Sequence, residues 1–126
     1  MNESILSVKS YAFALRIIRL YQFMVDDRRE FVLSKQVLRS GTSIGANVEE
    51  SIHAQSKTDF VHKLSIAQKE AIETNYWLRL LKDSGYIEKN LAESLLSDCD
   101  ELQRMLAASI KTAKSNLRKA AGGSQL

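Results

Sequence analysis

The sequence predicts an all-α fold, a four-helix bundle, on three observations. The 126 residues contain no proline and only five glycines, so little interrupts a helical run. Apolar residues recur at helical spacing in four separate segments. One of those segments carries a heptad seam, the pattern of helices packed nearly parallel in a bundle. A chain of this length buries one substantial core. A single domain is therefore expected over residues 1–119, with "AAGGSQL" at 120–126 as a disordered tail.

Helix 1 is expected to begin between residues 4 and 10 and to end near Asp26. Placed at roughly 100° per residue, Tyr11, Phe13, Ala14, Leu15, Ile17, Ile18, Leu20, Tyr21, Met24 and Val25 cover an arc of roughly 220°, about twice a usual core-facing stripe. A four-helix bundle has no central helix that could bury so wide an arc. The helix is either crowded within one chain or carries a second apolar face that meets another subunit, and the second reading is preferred. Lys9, Arg16 and Arg19 occupy the remaining face, beside Phe23.

Helix 2 covers "LSKQVLRSGTSIGANVEES", with Ser34 as its expected cap. Val37, Gly41, Ile44, Val48 and Ile52 keep helical spacing, so the glycines sit within a helix. Gly41 and Gly45 remove side chains on successive turns, which permits close backbone approach by a neighbour. A phosphate loop would need a preceding strand and a G-K-[ST] ending, and both are missing. The other side carries Gln36, Arg39, Ser40, Ser43, Asn47 and Glu50. Short hydrogen-bonding groups in such number suggest a polar seam against another helix. Arg39 with Glu50 or Glu73 is the expected charged pairing.

Helix 3 is bounded by Ser56 with Asp59, a capping pair, and by Gly85, suited to the position after a helix end. Phe60, Leu64, Ala67, Ala71, Thr74, Leu78 and Leu81 form the heptad seam. A second stripe of Ile66, Glu73, Trp77 and Leu80 places Glu73 among apolar neighbours, so it needs a partner. Helix 4 is expected from Asn90, with Glu93 as its capping partner. Leu91, Leu95, Cys99, Leu102, Leu106, Ile110, Ala113 and Leu117 make one narrow stripe. Cys99 lies within it and reads as a buried structural thiol rather than a nucleophile.

Charge is distributed unevenly. The net charge is +3, yet residues 102–126 hold Arg104, Lys111, Lys114, Arg118 and Lys119 and no acidic residue. The preceding residues hold 13 basic and 15 acidic side chains. A near-neutral body with a basic last quarter points to polyanion binding, although lysine-rich faces also serve solubility. Arg104, Lys111, Lys114 and Arg118 share one face of helix 4 within roughly 80°.

Catalysis finds little footing. Glu50-x-x-His53 matches the spacing of di-iron ligands in helical bundles. With two histidines in the chain, and both near the turn at residues 55–57, four converging ligand motifs do not form. A lone cysteine excludes a cysteine-ligated zinc site and an internal disulfide. No serine stands in a nucleophile elbow. No enzyme activity, cofactor or metal is expected. The start "MNESILSVKSYAF" lacks a basic segment followed by an apolar run, and no span long enough for a membrane helix occurs. The expected compartment is the cytoplasm.

"KSYAFALRIIRLY", "FVLSKQVLRSGTSIGANVEES", "KTDFVHKLSIAQKEAIETNYWLRLL" and "DSGY" resemble the bacterial four helix bundle proteins, also called ribosomal-RNA intervening-sequence proteins. The resemblance covers about residues 9 to 115, and the "LSKQ-LRSGTSIGANVEE" run is its most specific part. It implies an antiparallel up-down-up-down bundle and assembly as a homopentamer with a central channel. Members are encoded within insertions in ribosomal RNA genes. In a related branch, the accessory variability protein of diversity-generating retroelements binds nucleic acid through a basic surface and partners a reverse transcriptase. Asn47, Glu50 and Glu73 fall on family-typical polar positions. Lys69 and Glu70 stand where many members have small residues, so the retroelement partner does not carry over.

The expected function is a homo-oligomeric, non-enzymatic scaffold that binds RNA or DNA, with Lys9, Arg16, Arg19, Lys111, Lys114, Arg118 and Lys119 as contacts. The alternative is a protein-protein adaptor that receives another protein on its apolar face. Arg39, Ser43, Asn47, Glu50 and Glu73 are expected to form a structural polar network.

Overall fold

The computed structural model describes residues 4–123. They form α1 (Ile5–Asp26), α2 (Leu33–Ile52), α3 (Lys57–Asp83) and α4 (Lys89–Gly123), with no strand among them. Each helix packs on the one before it, and α1 closes the ring against α4, while the diagonal pairs do not meet. The three connections are short, so consecutive helices run antiparallel, up-down-up-down. The core is apolar and continuous. Phe13, Ile17 and Met24 of α1, Val37 and Ile44 of α2, Leu64 and Leu78 of α3, and Leu102 and Leu106 of α4 are all buried within it.

The helix ends follow from local chemistry. Ser4 caps α1, its hydroxyl accepting from the Ser7 N–H at 3.0 Å. Ser56 caps α3 in the same way, accepting from Asp59 N–H at 3.0 Å. Gly85 has φ +81, a left-handed conformation open to glycine. That turn lets Tyr86 N–H reach the Leu81 carbonyl at 3.0 Å and close the end of α3.

Two expected caps are corrected. Ser34 does not cap α2: it is buried within the helix, and its hydroxyl donates to the Glu30 carbonyl. The cap is the Glu30 carboxylate, which accepts from the backbone N–H groups of Val32, Leu33 and Ser34 at 3.1, 2.9 and 2.8 Å. It satisfies three of the orphan donors at that helix start. Asn90 does not cap α4, which begins one residue earlier at Lys89. At the far end α4 continues to Gly123, beyond the expected boundary at residue 119. The rest of the expected tail, residues 124–126, lies outside the described residues.

Gly41 and Gly45 bring α1 and α2 close together. A Cβ on Gly41 would stand 2.8 Å from Ile17 Cγ1, and one on Gly45 would stand 3.2 Å from the Ser10 carbonyl oxygen. Both glycines thus face α1, and the contact fixes the rotation of α1 about its axis. Leu6, Ser10, Phe13, Ile17, Leu20 and Met24 turn inward. Val8, Tyr11, Leu15 and Ile18 turn outward, exposed by 51, 68, 40 and 38%. The wide apolar arc of helix 1 is therefore half core and half surface. Ile52, expected in the core stripe of helix 2, is half exposed, and Ser51 is buried in its stead.

Candidate nucleic-acid interface

The seven cationic side chains expected to contact nucleic acid fall into two groups. The α1 group faces α4. Lys9 Nζ pairs with Glu101 at 3.1 Å, and Arg16 pairs with Asp98 at 2.6 Å while also donating to Ser94 Oγ at 3.1 Å. These pairs tie α1 to α4 where the two helices meet sparsely, and they neutralise two of the three α1 cations. Arg19 has no carboxylate partner among the described residues. With Arg16, Leu20, Phe23, Leu91 and Leu95 it lines an open groove of about 370 Å³ between α1 and α4.

The α4 group is different. No residue of α4 from Lys111 to Gly122 is buried, because α4 is the longest helix, 35 residues against 22 in α1 and 20 in α2. Lys111, Lys114, Arg118 and Lys119 are exposed, and none has a carboxylate partner among the described residues. Lys111, Lys114 and Arg118 recur every three or four residues and so share one face. They line a shallow concavity of about 290 Å³ with Gln68, Ala107 and Ile110. Lys119 follows Arg118 by one residue and points away from that face, roughly 100° round the helix. Arg104 is drawn off by Asp100 one turn earlier. The concentrated, unpaired positive charge is thus Lys111, Lys114 and Arg118.

The expected polar network divides in three. Arg39 reaches across from α2 to α3, where it pairs with both Glu73 and Glu70. Glu73 also accepts from Trp77 Nε1 at 2.9 Å. The indole and the Arg39 guanidinium together hold the Glu73 carboxyl below its ordinary range. The carboxylates raise the Arg39 pKa, Glu73 foremost through its hydrogen bond. Ser43 and Asn47 join no such cluster: each donates to the carbonyl four residues earlier, Arg39 and Ser43 respectively. Glu50 pairs with Lys63 at 3.0 Å rather than with Arg39. Ser40, expected on this polar face, is wholly buried, with Thr74 Oγ1 2.9 Å from its hydroxyl. No buried side-chain nitrogen or oxygen among the described residues lacks a partner.

Cys99 is fully buried, 3.2 Å from the Ala71 carbonyl oxygen, and burial pushes its thiol up to about 11. A nucleophilic thiol needs the opposite shift. Among the described residues no three His, Cys, Asp or Glu side chains converge as metal ligands. No helix among them is long and apolar enough to cross a membrane.

Sequence reasoning missed the pairing of Lys9 and Arg16. Its signal was present: Asp98 and Glu101 are one turn apart on α4, and Lys9 and Arg16 two turns apart on α1. Only the antiparallel contact of the first and last helices reveals that they meet.

Comparison with known proteins agrees with this architecture. No curated protein matches the chain. Among solved structures, it is similar to a protein of unknown function from the S23 ribosomal protein family of Bacteroides thetaiotaomicron, at 51% sequence identity and a TM-score of 0.84. The match covers 85% of this chain and 99% of that one. A family model described as 23S rRNA-intervening sequence protein matches residues 2–108. On these two matches, the chain belongs to the 23S rRNA-intervening sequence protein family.

Proposed function

We propose that the protein is a non-enzymatic, homo-oligomeric scaffold of the cytoplasm that binds nucleic acid through basic surfaces repeated around the assembly. The observation that carries this reading is the face of Lys111, Lys114 and Arg118, unpaired and exposed on the part of α4 that the bundle does not bury. Three cations at successive turns, with no acidic residue after Glu101, present a field that phosphates relieve and carboxylates of the same chain do not. Lys119 adds charge next to it on the helix; Arg19 is a separate unpaired cation near the start of α4, beside Leu91 and Leu95, and Lys9 and Arg16 must first leave Glu101 and Asp98. The exposed apolar face of α1 supports assembly, because contiguous apolar surface on a small domain marks an interaction site. The subunit number, five, is taken from the resemblance to pentameric relatives.

Binding of this kind is largely independent of base sequence and weakens steeply with salt. Reversing Lys111, Lys114 and Arg118 to glutamate should abolish retention of RNA or DNA at low salt. Equal retention by the triple variant would remove these residues from the site. A specific protein co-purifying with the chain, without any salt-dependent nucleic-acid shift, would favour the adaptor reading instead.

A further inference from the structure

The groove between α1 and α4 has a chemistry of its own. Leu20 and Leu95 are buried and form its floor, while Phe23 and Leu91, exposed by 36 and 38%, form its walls. Arg16, Arg19, Leu20 and Phe23 follow one strip of α1, and Leu91 and Leu95 stand a turn apart on α4. Arg16 closes one end, held by Asp98 and by Ser94 Oγ, so its charge is already compensated. Arg19 is exposed and pairs with no carboxylate among the described residues. No carboxylate lines the groove. An apolar trough of about 370 Å³ therefore carries one uncompensated guanidinium on its rim. Small-molecule sites have this size and this make-up, apolar walls with few polar groups.

We propose that this groove binds a small organic monoanion, a carboxylate borne on an aromatic ring or a short alkyl chain. The apolar body covers Leu20, Phe23, Leu91 and Leu95, and a ring packs against the Phe23 ring. The carboxylate accepts two parallel N–H bonds from the Arg19 guanidinium. Charge balance sets the valence. Arg16 and Asp98 cancel, so the site holds one positive charge, which a monoanion neutralises and a dianion exceeds. A nucleic-acid strand is served better at the other end of α4, where Lys111, Lys114 and Arg118 stand together. The inference goes beyond the nucleic-acid reading and does not rest on it, because the two sites share no residue.

The test is calorimetric titration of the full chain with phenylbutyrate, and with phenylbutyramide as its uncharged counterpart. The acid should bind saturably, one per chain, and the amide far more weakly. Arg19→Gln should weaken the acid about tenfold, the size of one lost hydrogen bond to a charged group at an exposed site. Leu91→Glu should abolish binding, because it fills the groove and brings Arg19 a carboxylate of its own. Leu91 is partly exposed in the first turn of α4, where an acidic side chain favours the helix, so this variant keeps its fold, as circular dichroism checks. The triple variant Lys111→Glu, Lys114→Glu and Arg118→Glu should bind the acid as the wild type does, even where it no longer retains RNA. No saturable binding, equal binding of acid and amide, or full binding by Leu91→Glu would overturn the inference and leave the nucleic-acid reading standing. A single-stranded oligonucleotide that displaces the acid would give the groove to nucleic acid instead, and would overturn it too.

Discussion

Substituting Gly41 by alanine tests the contact that orients α1. The added Cβ would lie 2.8 and 2.9 Å from Ile17 Cγ1 and Cγ2, and 3.3 Å from Ile17 Cβ. Carbon atoms prefer about 3.5–4.0 Å, so two contacts are compressed by roughly 0.6 Å or more. Ile17 cannot swing aside easily: it is fully buried, and a β-branched residue in a helix has essentially one χ1 rotamer. Overpacking of this kind costs about 1–3 kcal/mol. Replacing glycine in a helix returns about 1 kcal/mol of propensity. With two atoms in conflict, a net loss of about 1–2 kcal/mol is expected. Ile17→Ala removes both offending atoms and, alone, costs about 2–5 kcal/mol through the cavity it leaves. In that background Gly41→Ala should be neutral or stabilising, which gives a coupling of about 2 kcal/mol between the positions. Urea unfolding of the four proteins at one fixed concentration measures it, since assembly makes stability depend on concentration. Simple additivity, or a Gly41→Ala variant more stable than the wild type, would refute the close packing of α1 on α2 and the outward face that depends on it.

Two further outcomes follow from the electrostatics. Burial alone would raise the Glu30 carboxyl, but its hydrogen bonds from Leu33, Ser34 and Val32 outweigh burial and lower it. Its folded pKa lies below its unfolded one, so its contribution is present above the ordinary glutamate range and is lost as pH falls through that range and beyond. Glu30→Ala should cost about 0.5–2 kcal/mol at neutral pH, the size of a lost N-cap, and less in acid, as urea titrations at several pH values would show; an equal loss at all pH values would refute the cap. The Cys99 thiol, raised to about 11 by burial, should resist alkylation at neutral pH in the native protein and react on addition of denaturant. Rapid native labelling, followed by mass spectrometry, would contradict its burial.

Much of the fold was legible in the sequence because its determinants are local. Ser56 with Asp59, Gly85 after α3, and the seam from Leu64 to Leu81 each act within a turn or along one helix face. The Glu30 cap was not legible, since the carboxylate lies outside the helix and reaches forward to it. Ser40 was misplaced because α2 packs against both α1 and α3, and a wheel drawn around one helix does not show how many neighbours bury it. The site was half legible. Lys111, Lys114 and Arg118 could be grouped from spacing alone, and nothing in the fold redistributes them. Lys9 and Arg16 looked equally free on their helix, and only the contact of α1 with α4 couples them to Glu101 and Asp98. Arg39 showed the same limit: Glu50 and Glu73 were equivalent by charge, and the pairing of α2 with α3 selects Glu73 and Glu70.

The outward face of α1 is the hinge of the functional account, and sedimentation equilibrium of the full chain at micromolar concentration tests it most directly. A mass that is a fixed multiple of 14.2 kDa, above two copies and constant across the concentration range, is expected. A stable species of one chain throughout would contradict assembly and, with it, the repeated basic surface.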